Sequence, residues 1–228
     1  MKTLTVLVPA FNEENTISES LERLKNISII TEILVLDDGS TDKTKQLVGN
    51  AALVNSKIKL VHFETNNGKG AVLNKSREFI NSDYVVIHDA DLEYFPEDIV
   101  EMFKEVNGDN LILGSRFIGN KKRLNVYFRT YLANKVMSLF FSLVNFIKIT
   151  DVATCYKMMP SSFFKSNSFT EKGFSIEIEM LSRFLKTSRQ IIEVPISYNG
   201  RSYEEGKKIK LHDGFLYLIN TIKYRIIS

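Results

Sequence analysis

The chain has 228 residues, 44% hydrophobic and 25% charged, which excludes a disordered polypeptide and suffices for one sizeable core. With 30 Lys and Arg against 27 Asp and Glu, the net charge of +3 is too small to imply a nucleic-acid partner. The single cysteine, Cys155, excludes an internal disulfide and a cysteine-rich zinc site and fits a reducing, cytoplasmic compartment.

At the N-terminus, Met1-Lys2-Thr3-Leu4-Thr5-Val6-Leu7-Val8-Pro9 reads as a strand of period two, so no targeting signal is expected. Apolar runs predict strands at Leu4 to Val8, Glu32 to Leu36, Lys57 to Phe63, Tyr84 to His88 and Asn110 to Leu113, each covered on both faces. Helical patterns alternate with them. Ile17, Leu21, Leu24 and Ile27 share a face after Asn12, a second helix is capped at Ser40-Thr41-Asp42, a third follows Gly68-Lys69-Gly70, and a fourth starts at Pro96. This order predicts an α/β fold with a doubly wound, mainly parallel sheet whose ligands sit beyond the carboxyl ends of the strands. No internal repeat or low-complexity linker interrupts it.

From Arg123 to Ile149 the spacing predicts one long helical segment or two, with Leu124, Phe128, Leu132, Val136, Leu139, Phe140, Leu143 and Ile147 on one face, widened by Phe141 and Val144. Three readings fit: a helix buried on the sheet, an interfacial helix lying in a membrane surface, or a surface for a homodimer. Lys121, Lys122, Arg123, Arg129, Lys135 and Lys148 would supply the basic edges of the second. The longest uncharged apolar stretch, twelve residues between Lys135 and Lys148, is too short for the roughly 20 that a membrane span needs. The chain closes with a basic loop from Arg201 to Lys210, then a helix with Phe215, Leu218, Ile219, Ile222 and Ile226 at helical spacing.

Polar residues gather at the strand ends. Pro9-Ala10-Phe11-Asn12-Glu13-Glu14, Asp37-Asp38-Gly39-Ser40-Thr41-Asp42 and Asp89-Ala90-Asp91-Leu92-Glu93 form three acidic loops on one predicted rim. Taken singly, each is also a normal turn or helix cap. Two carboxylates one residue apart can instead hold a hard cation, Mg2+ or Mn2+, which usually shares its oxygen ligands with a diphosphate. Gly68-Lys69-Gly70 adds a cation at a helix N-terminus, suited to an anionic group or simply to a turn.

Together with Asn67-Gly68-Lys69-Gly70 and Gly114-Ser115-Arg116-Phe117, these segments resemble the family 2 inverting glycosyltransferases of GT-A (Rossmann-like) fold, most closely the dolichyl-phosphate mannose synthases and related polyprenyl-phosphate glycosyltransferases. The resemblance implies one domain, with residues 1–117 binding a nucleotide-sugar and residues 118–228, which carry the C-terminal amphipathic helices, facing acceptor and membrane. It implies donor contacts at Pro9, Phe11, Glu13, Leu36, Asp38, Lys69, Asp89, Ala90, Arg201 and Lys207. It further implies a Mg2+ or Mn2+ site at Asp89 and Asp91, with Glu93 as a candidate third ligand where mannose synthases usually carry Gln. Asp91, Arg116 and Arg129 are implied in the chemistry, the two arginines against the acceptor phosphate.

The expected reaction is transfer of a hexose, mannose or glucose, from a GDP- or UDP-sugar to a polyprenyl (dolichyl-type) phosphate, by a peripheral protein at the inner, cytoplasmic face of the membrane. An alternative is extension of a bacterial surface polysaccharide, which would need a carboxylate base among Glu177, Glu179 and Asp151. A catalytically silent nucleotide-binding or membrane-adaptor module is a third. A sugar nucleotidyltransferase would need a Gly-rich basic loop after the first strand, which Pro9-Ala10-Phe11-Asn12 is not.

Overall fold

The computed structural model describes residues 2–187, 189–201 and 211–227. The five apolar runs form β1 (Leu4–Ala10), β2 (Glu32–Asp37), β3 (Ile58–His62), β4 (Tyr84–Ile87) and β5 (Leu111–Ser115). Adjacent residues such as Val6, Leu7 and Val8, or Val85, Val86 and Ile87, are wholly buried. Both faces of β1, β2, β4 and β5 are therefore covered, which explains why their sequences run apolar without alternation; β3, at the edge of the sheet, is corrected, because it buries only Ile58 and exposes Lys59.

The covers are α1 (Ile17–Lys25), α2 (Thr44–Val54), α3 (Lys69–Ser76) and α4 (Glu97–Lys104). Ile17, Leu21 and Leu24 form the buried stripe of α1. α2 starts two residues beyond the predicted cap, at Thr44, whose N–H donates to the Asp42 carboxylate at 2.9 Å.

The second half contributes β6 (Arg123–Leu124), α5 (Phe128–Asn145), β7 (Lys157–Pro160), α6 (Ser161–Ser166), α7 (Ile176–Leu185), β8 (Ile191–Pro195), β9 (Tyr198–Asn199) and α8 (Leu211–Ile227). One seven-stranded sheet has the order β3-β2-β1-β4-β7-β5-β8. It is parallel except for β7, which runs antiparallel to β4 and β5, with Val86 opposite Met158 and Ile112 opposite Met158. The start of β7 therefore lies beside the carboxyl end of β4, next to Asp89.

The expected helix from Arg123 to Ile149 is shorter in the structure. Arg123 and Leu124 pair instead with Tyr198 and Asn199, and Asn125 turns through positive φ before α5 begins. At the other end Phe146, in the left-handed conformation, stops the helix. The reading of this stripe as a face buried on the sheet is also corrected. Phe128, Leu132, Val136, Leu139 and Leu143 are exposed, and the buried side of α5 carries Asn134, Ser138 and Phe141. Among the described residues no helix is long and apolar enough to cross a membrane.

Candidate active site

Hydrogen bonds stitch the strand-end loops together. Asn12, at φ 53, donates its N–H to Ser40 Oγ at 3.0 Å and accepts the Thr41 N–H at 2.9 Å, and the Glu13 N–H donates to Thr44 Oγ1 at 2.8 Å. Asp38 is buried, and its two oxygens accept the N–H groups of Asn67 and Gly68, each at 2.8 Å. It thus ties the Gly68 loop to the rim. Asp37 accepts the Ser40 N–H and lies 2.7 Å from His62 Nδ1. Pro9 and Phe11 are half-buried at the same edge, Glu13 is buried, and Leu36 and Ala90 lie in the core.

The acidic motif leaves β4 through a strained turn. Leu92 has φ 62, a conformation unfavourable for a side chain of its size. It folds the chain so that the Glu93 N–H reaches Asp91 Oδ1 at 3.2 Å. Each aspartate meets a protein cation: Lys69 Nζ lies 2.7 Å from Asp89, and the Arg201 guanidinium 2.7 Å from Asp91. Burial alone would raise Asp89, but Lys69 lowers it below the ordinary carboxylate range. Burial, then the charges of Glu93 and Asp89, push Asp91 up to about 7 against the pull of Arg201.

Glu93 is already committed: Oε2 accepts the Tyr198 hydroxyl and Oε1 the Arg201 N–H, both at 2.8 Å. It anchors β9 and Arg201 over the motif. Asp89 and Asp91 offer only oxygen, the donor set that hard cations prefer. Burial pushes the neighbouring Cys155 thiol up, so without a metal it stays protonated. Among the described residues no group of three or more His, Cys, Asp or Glu side chains is arranged to hold a metal ion. A divalent cation here would therefore need phosphate oxygens or water to complete its shell.

Behind the motif the carboxylates are paired. Glu177 lies 2.9 Å from Lys69 and 2.6 Å from Lys157, a wholly buried lysine at the start of β7. Glu179 accepts the Thr170 and Glu171 N–H groups and pairs with Arg183 at 2.9 Å. Asp151 is gripped by Arg116, whose Nε and Nη2 donate at 2.7 and 2.8 Å, with Asn134 of α5 donating at 2.8 Å. The Tyr198 ring lies 4.9 Å from the Arg116 guanidinium.

Arg129 stands exposed on the first turn of α5. Beside it Phe117, Arg123, Val126, Phe128 and Tyr131 line an open cavity of about 360 Å³. Of the two readings of Gly68-Lys69-Gly70, an anion site or a turn, the backbone favours the turn, because the Gly70 and Ala71 N–H groups donate to the Lys172 carbonyl at 2.7 and 3.2 Å. Gly70 permits that approach, since a Cβ there would overlap the Glu171 carbonyl oxygen. Lys207, with Lys208 and Lys210, lies outside the described residues. Two polar members of the site went unread in the sequence, Lys157 and Tyr198. The signal for Lys157 was a lone charge inside the apolar run Tyr156-Lys157-Met158-Met159.

The family model Glycosyl transferase family 2 matches residues 5–167. The chain belongs to glycosyltransferase family 2. It is 25% identical over 213 residues to an undecaprenyl-phosphate mannosyltransferase of Micrococcus luteus, covering 91% of this chain and 87% of that one. It is 24% identical to a polyprenol monophosphomannose synthase of Mycolicibacterium smegmatis, covering 86% and 77%. Among solved structures, glucosyl-3-phosphoglycerate synthase from Mycobacterium tuberculosis, in complex with Mn2+, UDP and glucosyl-3-phosphoglycerate, superposes with a TM-score of 0.74 at 20% identity, covering 98% of this chain and 80% of that one. The protein is thus a glycosyltransferase with a GT-A fold.

Proposed function

We propose that this glycosyltransferase moves a hexose, with inversion, from a GDP- or UDP-sugar to a polyprenyl phosphate at the inner face of a membrane. The observation that carries the reading is the state of the carboxylates. Asp151, Glu177 and Glu179, the three candidate bases, are each buried and bound to a lysine or arginine. An alcohol acceptor needs a carboxylate free to take its proton. A phosphate monoester is already ionised at neutral pH and needs none. The names of the relatives from Micrococcus and Mycolicibacterium support the same acceptor class.

In this reading residues 1–117 bind the donor. Pro9, Phe11, Glu13 and Asp38 surround the nucleoside, and Asp89 and Asp91 are the residues that would hold Mg2+ or Mn2+. The metal supplies charge neutralisation as the nucleoside diphosphate departs, and Arg201, already between Glu13, Asp91 and Glu93, adds a bidentate donor for the phosphate oxygens. Residues 118–228 receive the acceptor. Arg129 and Arg116 flank its phosphate, and the aromatic cavity beneath Phe128 takes the first isoprene units.

The same half supports a peripheral membrane contact. α5 exposes Phe128, Leu132, Val136, Leu139 and Leu143, and α8 exposes Phe215, Ile219, Ile222 and Ile226, the two helices being in contact. Lys135, Lys148 and Arg225 lie among these positions, as an anionic lipid surface would favour.

The test is to incubate the purified protein with a panel of GDP- and UDP-hexoses, Mn2+ and a short polyprenyl phosphate, following lipid-linked hexose by mass spectrometry. One donor should yield a polyprenyl-phosphohexose, and Asp91→Asn or a chelator should abolish it while the melting curve stays cooperative. No lipid product from any donor would sink the reading; full activity in Asp91→Asn would remove the metal from it.

A further inference from the structure

Lys69 is shared between two carboxylates, 2.7 Å from Asp89 and 2.9 Å from Glu177. Glu177 spends its other oxygen on Lys157, at 2.6 Å. Lys157 has no solvent exposure and donates also to the carbonyls of Val152 and Thr154. The row Lys157, Glu177, Lys69, Asp89 alternates in sign and sums to zero. Burying four charges is costly, and only mutual pairing sustains it. Yet Lys157 touches the acidic motif solely through Glu177 and Lys69. A wholly buried lysine two steps behind a ligand site adjusts what stands in front of it.

We infer that Glu177 and Lys157 are positioning residues that keep Lys69 on Asp89 as a resident counter-ion, with Glu177 taking over the ammonium when Asp89 is given to a divalent cation. The cation accordingly loads together with the donor diphosphate and not ahead of it. The inference rests on the reading of Asp89 and Asp91 as the metal carboxylates. Three features support it. Both aspartates already face a protein cation, Asp89 the Lys69 ammonium and Asp91 the Arg201 guanidinium. Two carboxylates are too few to hold such a cation without further oxygens. The move asked of Lys69 is small, because its ammonium is already within contact of Glu177. A diphosphate brings the negative charge that compensates both displaced cations.

The sign of two substitutions tests this. Lys157→Met leaves Lys69 as the sole cation on Glu177 and draws it off Asp89. Glu177→Gln/Lys157→Met leaves Lys69 only Asp89 and keeps the row neutral, so it should fold. Mn2+ binding is read from the paramagnetic resonance signal of the free ion, with and without GDP or UDP. In the wild type the nucleotide should tighten Mn2+ about tenfold. Without nucleotide, Lys157→Met should tighten Mn2+ on the order of three- to tenfold, and the double variant should weaken it by a similar factor.

A residue with a merely structural role would not move the two in opposite directions. Shifts of one sign, or none, beside a wild type that binds Mn2+ normally, overturn the inference and leave the metal reading standing. Absence of Mn2+ binding by the wild type even with nucleotide overturns the metal reading itself. Should Lys157→Met fail to fold, the double variant alone decides: weaker binding supports the inference, and equal or tighter binding contradicts it.

Discussion

His88 stands next to the acidic motif and is neutral at pH 7. Its ring lies between Ser20 Oγ at 3.3 Å and the Tyr156 hydroxyl at 2.9 Å, and burial pushes its pKa down to about 4. Below pH 6.5 the unfolded chain binds a proton here that the folded chain refuses, so stability falls as pH drops from 6.5 towards 4. The loss amounts to roughly 3 kcal/mol at most. His88→Gln should flatten that part of the profile in urea titrations at pH 7 and 4.5; an unchanged slope would mean the ring titrates freely.

Asp151 makes a sharper case. Asp151→Asn leaves Arg116 buried beside a neutral amide and should cost about 3 kcal/mol in a urea titration, a loss that intact stability would refute. Both residues were visible in the sequence as candidates, Arg116 for phosphate and Asp151 as a base. Their partnership was not. It spans 35 positions, and no local spacing encodes it. Asp38 is similar: its acidic pair is plain in the sequence, but its use in holding the Asn67 and Gly68 N–H groups depends on a loop 29 residues further on.

At the level of elements, α5 and α8 share an inverted pattern. α5 buries Asn134 and Ser138 beside Phe141, and α8 buries Tyr217, Asn220, Thr221 and Tyr224, while Phe128, Leu132, Val136, Leu139 and Leu143 of α5 and Phe215, Ile219, Ile222 and Ile226 of α8 face outward. The buried polar sides are satisfied: Asn134 bonds Asp151, Ser138 accepts the Val152 N–H, and Tyr224 bonds Thr170 and Glu171. Docking through hydrogen bonds leaves the apolar faces exposed. Leu139→Gln/Leu143→Gln should therefore change stability by less than about 0.5 kcal/mol yet reduce binding to anionic phospholipid vesicles roughly tenfold or more. Unchanged vesicle binding, with self-association lost in sedimentation, would assign the face to a second copy instead.

The stripe itself was legible from spacing, but its outward direction was not, because apolar periodicity is the same for a core and for a membrane. The positions of β1 to β5 were legible, since covered strands such as β1, β2 and β4 write continuous apolar runs, but the exposure of edge strand β3 was not. The two-residue strands β6 and β9 lie below any periodic signal, and they bring Arg201 to the motif.

Across the whole molecule, the α/β order predicted a mainly parallel sheet, and the strand topology and the family match agree. What order could not reveal is the insertion of β7, antiparallel, between β4 and β5. That crossing sets Cys155 beside Asp89 and Lys157 behind it through Glu177 and Lys69, and gives the acidic motif a buried electrostatic backing from the far half of the chain. The result is a rim with cations on both sides of the acidic pair and, among the candidate bases Asp151, Glu177 and Glu179, none left free of a lysine or arginine.

That absence leads to the most direct measurement. Turnover with the preferred donor and Mn2+ should be compared for a polyprenyl phosphate and for the polyprenol of the same length, with a glycan hydroxyl acceptor alongside. The account predicts a lipid-linked hexose from the phosphate and at most traces from either alcohol. Comparable transfer to the polyprenol or to the glycan would contradict it, because that chemistry requires a base among carboxylates now bound to Lys69, Lys157, Arg116 and Arg183.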